Sequence, residues 1–204
     1  AASQLHDAAG VVVRGHKVYV SNRHGNTFGM GSIQEFTWNG SSLSGGATIA
    51  SAALSGHQGW HGFSFAPNGD LFVTTVNSGT RRFRDSGSGF VDIGGTGSGA
   101  VRDAWISPDG NKLIESGSNG SIFVSDVLAN SIGPATVFGI AGGSIMHQMT
   151  YAWNSLYVTS YNTHTVHRVM FDANFNPISS SVVTSASNAL GSAFSPDGNE
   201  MLVS

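Results

Sequence analysis

One phrase recurs three times along the chain: Phe65-Ala66-Pro67-Asn68-Gly69-Asp70-Leu71-Phe72-Val73, Ile106-Ser107-Pro108-Asp109-Gly110-Asn111-Lys112-Leu113-Ile114 and Phe194-Ser195-Pro196-Asp197-Gly198-Asn199-Glu200-Met201-Leu202. The prolines are 41 and then 88 residues apart, so the longer gap holds two steps and a unit of about 40 to 45 residues repeats. Proline presets φ and glycine accepts positive φ, so each copy reads as strand, tight turn, strand. The copy expected midway is Met149-Thr150-Tyr151-Ala152-Trp153-Asn154-Ser155-Leu156-Tyr157-Val158, with a shorter turn, and Val11 to Val20 supplies a first unit. Each hairpin is followed by a third apolar segment, at 32–38, 81–83, 121–125 and 165–171. A looser fourth follows at 46–53, 90–93, 135–138 and 179–183.

Four-stranded units at this period predict an all-β fold, a β-propeller of about five blades. The expected blades cover 5–54, 55–97, 98–141 and 142–185, with 186–204 holding only two strands, all within one domain of 204 residues. The chain ends inside a blade. The expectation is therefore an incomplete last blade, or part of a larger six- or seven-bladed ring that a further segment, a second chain or a second copy would complete, because an open strand edge invites pairing.

Composition narrows the partners. Charged residues are 10 % of the chain and the formal net charge is -3, which makes nucleic acid a poor partner. No apolar run approaches the 18 or so residues of a membrane span. With no cysteine there is neither a disulfide framework nor a thiol nucleophile. Low charge, 28 glycines and an Ala-Ala-Ser start favour an exported protein, secreted or periplasmic.

In a propeller the residue just before each innermost strand sits at the mouth of the central channel. Aligning the units on their turns places His61, Arg102 and His147 at one equivalent position, with His6 near it in the first unit and Leu190 in the last. Rotation then brings residues about 40 apart in sequence to a common axis. His6, His61 and His147 could hold a divalent metal, Zn or Ca, with a position left open for water or substrate. Arg102 could fix a carboxylate or an oxyanion. Asp7, Asp103 and Gln148, each following one of these residues, could orient the imidazoles. Trp60, next to His61, is the aromatic expected to flank a ligand. The alternative is a wet channel rim of polar residues with no ligand.

The phrases His6-Asp7-Ala8-Ala9-Gly10 with Val18-Tyr19-Val20-Ser21, and Trp60-His61-Gly62-Phe63-Ser64-Phe65 with Pro67-Asn68-Gly69-Asp70-Leu71-Phe72-Val73-Thr74, resemble NHL-type propeller repeats. The same group includes streptogramin B lyase-like and gluconolactonase-like propellers. The resemblance implies a channel site using histidines, in one lyase around zinc. Gluconolactonase-like enzymes bind metal through acidic and amide side chains, whereas the aligned positions here offer His and Arg. Together these features favour a metal-assisted lyase or hydrolase. It would act on a small anionic or carbonyl-containing substrate, with His61, His147 and Arg102 catalytic and no organic cofactor. The competing class is a non-catalytic propeller that binds a ligand, a carbohydrate or a protein.

Weaker features remain. His164 and His167 have an odd spacing and should point apart, one in a hairpin turn and one in packing. Arg81, Arg82 and Arg84 read as an anion patch or as a solvated strand edge. Arg23-His24-Gly25-Asn26 lies in a long connection that could cover the channel or serve as filler.

Overall fold

The computed structural model describes residues 5, 7–23, 31–51, 59–76 and 78–204. Among these there is no helix. Four four-stranded antiparallel sheets follow one another in chain order and form the blades of a propeller. Blade 1 is β1 (Ala8–Arg14), β2 (Lys17–Asn22), β3 (Ser32–Trp38) and β4 (Leu43–Ser51). Blade 2 is β5 (Trp60–Phe65), β6 (Leu71–Thr75), β7 (Gly79–Asp85) and β8 (Phe90–Gly95). Blade 3 is β9 (Val101–Ile106), β10 (Lys112–Gly117), β11 (Ser121–Asp126) and β12 (Thr136–Gly139). Blade 4 is β13 (Met146–Ala152), β14 (Ser155–Ser160), β15 (Thr165–Phe171) and β16 (Pro177–Ser185). A two-stranded sheet follows, β17 (Ser192–Phe194) with β18 (Met201–Val203). The innermost strands β1, β5, β9, β13 and β17 contact one another in succession around the channel.

The hairpin phrases owe their recurrence to local chemistry. Ser107 Oγ donates to Asp109 Oδ1 at 2.5 Å and accepts the Lys112 amide at 2.9 Å, while Asn111 donates its amide to the same carboxylate. Ser195, Asp197, Asn199 and Glu200 repeat the pattern. In the first copy Ala66 replaces the serine, and Asn68 Oδ1 takes the Asp70 amide. Gly69, Gly110 and Gly198 have φ of 90°, 76° and 75°, a region that glycine enters without steric cost. The fourth hairpin turns on Trp153 and Asn154, both at positive φ, which fits a two-residue turn whose twist matches its strands.

In blades 2, 3 and 4 the second strand is the most buried, because sheets flank both of its faces. In β6 every residue is buried. Leu71 and Val73 join Ile33, Trp60 and Phe83 between blades 1 and 2. Phe72 faces the other way, to Ala104 and Leu113 of blade 3. On β10, Leu113 meets blade 2 while Ile114 meets Met149 and Leu156 of blade 4. On β14, Tyr157 turns to Phe194 of β17, with ring centroids 4.7 Å apart. The period of two thus joins successive blades into a continuous core.

Two polar devices lock blade 2 to blade 3. The arginine run 81–84 is neither a free anion patch nor a solvated edge. Arg81 pairs with Asp92, and the fully buried Arg82 and Asp70 form an ion pair that Arg84 shares. Arg82 and Arg84 also donate to the carbonyls of Leu128 and Ala129 in the β11–β12 connection. Nearer the other end of the blades, the buried Glu115 carboxylate accepts Thr80 Oγ1 at 2.6 Å, Thr96 Oγ1 at 2.9 Å and Ser98 Oγ at 2.6 Å.

Burial raises the Asp70 pKa, but the hydrogen bonds from Arg84 and Arg82 outweigh it and hold the carboxyl below its ordinary value. The stability it contributes is therefore present above the unfolded carboxylate range and is lost as pH falls through the folded pKa. Asp70→Ala, which strands a buried guanidinium, is expected to cost about 3–5 kcal/mol of unfolding free energy in urea titrations.

Candidate functional site at the channel mouth

Each of the first four innermost strands carries one extra residue where it enters the channel. Trp60 pairs with Thr75 and Phe63 with Val73, leaving His61 and Gly62 opposite Thr74 alone. Val101 pairs with Gly117 and Asp103 with Ser116, so Arg102 is the extra residue of β9. Met146 pairs with Ser160 and Met149 with Val158, which places His147 and Gln148 in the same situation. In β1 the shift falls between Ala8 and Gly10. A β-bulge of this kind breaks the alternation of side chains and re-aims them. Here four bulges turn one ring of side chains into the channel.

Hydroxyls and one carboxylate hold the bulges in place. Thr74 Oγ1 lies within hydrogen-bond distance of the Gly62 carbonyl at 2.9 Å and of the Arg102 carbonyl in the next blade at 3.1 Å. Thr159 Oγ1 does the same for Gln148 and Leu190. Between blades 3 and 4 the bridge is Asp103, which donates its own amide to Ser116 Oγ and accepts the amides of Ala104 at 2.9 Å and Met149 at 2.7 Å. Gly62 makes room for it, since a Cβ there would stand 1.8 Å from Asp103 Oδ1.

The mouth opens into a cavity of about 450 Å³ lined by His61, Arg102, Asp103, His147, Arg23 and Asp7, among others. Arg102 Nη1 is 3.1 Å from His61 Nε2. Because a guanidinium only donates, His61 Nε2 is the acceptor and its proton sits on Nδ1. Burial, with Arg102 and Arg23 nearby, drives the His61 pKa down to about 3. Burial and Arg102 also lower His147, whose ring lies 5.7 Å from that of Tyr161. Complete burial raises Asp103 to about 7, against the two amides that favour its charge. Arg23 pairs with Asp7 at 2.7 Å. Among the described residues Arg102 has no carboxylate partner, and its buried Nε has no hydrogen-bond partner.

Of the residues singled out in the sequence, His61, Arg102 and His147 come together at the mouth with Asp7, Asp103 and Gln148. His6 lies outside the described residues, as do His24, Gly25 and Asn26 of the long connection. Trp60 does not flank a ligand. It is completely buried in the blade 1–2 core, its ring 5.4 Å from Phe83, because the strand sends it away from the channel before the bulge begins. Asp103 bonds backbone amides rather than an imidazole. Arg23 joins the site from the end of β2, a position that no alignment on the turns reveals. His164 occupies the β14–β15 turn at φ 54°, while His167 is buried in β15.

The expected metal set is incomplete among the described residues, because His6 lies outside them. The described residues gather no group of three or more His, Asp or Glu side chains suited to a metal ion. The His61 lone pair that would ligate a cation faces a guanidinium instead.

No protein-family model matches the sequence, and no curated protein matches it. Solved structures do match in shape. A Bacteroides uniformis protein named as a "putative 6-phosphogluconolactonase" is 15 % identical with a TM-score of 0.64, over 95 % of this chain and 62 % of that one. A functionally unknown protein of Desulfotomaculum acetoxidans is 15 % identical with a TM-score of 0.63, over 97 % and 62 %. An auxiliary nutrient binding protein of Bacteroides thetaiotaomicron is 13 % identical with a TM-score of 0.67, over 92 % and 44 %. This chain therefore spans less than two thirds of the length of each. At these identities the likeness shows the propeller fold alone.

The His61 pKa of about 3 lies below the 6.5 of an unfolded imidazole. Its contribution to stability is therefore complete above that unfolded value and declines as pH falls. In an NMR titration of the folded protein, the His61 ring signals are expected to stay at their neutral positions from pH 8 to about 4, while an unperturbed histidine titrates near 6.5.

Proposed function

We propose that the channel mouth binds a small anionic molecule with a reactive carbonyl, of the lactone or ester type, and hydrolyses it. The observation that carries this reading is Arg102, a cation facing a polar cavity with no carboxylate partner among the described residues and with a neutral imidazole held against it. A guanidinium in a half-enclosed site attracts an anionic group or a developing oxyanion far more strongly than it would in water. The neutral His147 supplies a base. It takes a proton from water as the oxygen bonds to the carbonyl carbon, and returns it to the alkoxide that leaves when the ring C–O bond breaks. Arg102 faces the oxyanion formed between these steps. The lactonase name borne by the Bacteroides uniformis protein supports a hydrolase over a lyase.

The nutrient-binding name of another similar protein favours a second reading, in which the same anion is held without turnover. A panel of phosphorylated and unphosphorylated lactones followed by pH-stat separates the two. Turnover by the wild type is expected, with kcat/KM falling roughly 100-fold in Arg102→Gln and turnover largely lost in His147→Gln. Tight binding without turnover would replace hydrolysis with capture. Full activity in Arg102→Gln, or activity that depends on an added divalent metal, would overturn the mechanism.

A further inference from the structure

After blades 2, 3 and 4, one side chain ties the channel-mouth backbone of one blade to that of the next. Threonine hydroxyls do this after blades 2 and 4. After blade 3 the equivalent position is Ser116, whose hydroxyl accepts the Asp103 amide. The tie to blade 4 passes to the Asp103 side chain, whose Oδ2 takes the Met149 amide 46 residues further along the chain. Met149 closes the bulge that contains His147 and Gln148. Asp103 also directly follows Arg102, and its second oxygen fixes the backbone of β9 through Ala104.

From this geometry we infer that Asp103 is a positioning residue: it fixes His147 on β13 relative to Arg102 on β9, and so sets the spacing between anion anchor and base. The inference rests on the anion-binding reading of the same site. It assigns Asp103 a role distinct from the imidazole-orienting one that its place in the sequence suggests. An aspartate is required because both of its oxygens accept from backbone amides. In Asp103→Asn, one amide of Ala104 or Met149 must face an NH₂ group, two donors opposed.

The sign of the effect separates positioning from electrostatics. If Asp103 acted only through its charge, Asp103→Asn would tighten the binding of an anion beside Arg102. Loss of positioning weakens it instead. With inorganic phosphate as the probe, at pH 8 and by calorimetry, Asp103→Asn is expected to bind roughly tenfold more weakly than wild type. The His147 ring signals should shift in the NMR spectrum while those of the exposed His16 and His164 stay in place. Ser116→Ala, which disturbs Asp103 without changing any charge, is expected to act in the same direction by a smaller factor, and it decides the matter if Asp103→Asn does not fold. Tighter phosphate binding in Asp103→Asn, or an unmoved His147 signal in the folded variants, overturns the inference. If the wild type does not bind phosphate, the anion reading fails, and the His147 signal alone decides the role of Asp103.

Discussion

A regular strand sends consecutive side chains to opposite faces, so a strand running down a narrow channel can offer only alternate residues to it. Everything at the mouth of this propeller depends on breaking that rule at one place in each blade. The extra residue at the start of β1, β5, β9 and β13 rotates the backbone by one position. His61, Arg102 and His147 then converge while Phe63, Ala104 and Met149, only a step or two further on, return to the core. The bulges of β5, β9 and β13 are tied by hydrogen bonds that cross between blades, so the geometry of His61, Arg102 and His147 is a property of blade junctions rather than of any single sheet.

This dependence explains the unusual charge states. Arg102 stays charged and is placed against an imidazole, an arrangement that would be repulsive if the imidazole were protonated. Burial removes that repulsion by keeping His61 neutral, and the guanidinium in turn fixes which ring nitrogen carries the proton. The same low dielectric raises Asp103, which lies deeper and meets only amides. Arg23, by contrast, is tied to Asp7 at the rim. The mouth is thereby left with one cation, Arg102, that has no carboxylate partner among the described residues.

Much of the fold could be read from the sequence because its signals are local. Ser107, Asp109 and Asn111 satisfy one another within five residues, so their phrase marks a turn wherever it occurs. Used as a spacing rule, it brought His61, Arg102 and His147 to one level. The bulges could not be read, because a one-residue slip between β5 and β6 leaves no mark in composition or period. Trp60 reads as a ligand neighbour in the sequence for that reason, whereas the side chain just before the bulge still obeys the strand's alternation and enters the core. The arginine run is opaque for a related reason: the partner of Arg82 is Asp70, twelve residues earlier in the turn just before β6, and its carbonyl partners belong to the next blade.

On the proposed function the channel mouth is an anion site built on Arg102 rather than a metal site built on histidines. A crystal structure of the protein grown with inorganic phosphate, and without chelator, tests it most directly. A tetrahedral anion hydrogen-bonded to the Arg102 guanidinium is expected, with His61 still accepting from Nη1 and His147 within reach of the anion. A divalent ion ligated by His61 and His147, with Arg102 swung away, would contradict it.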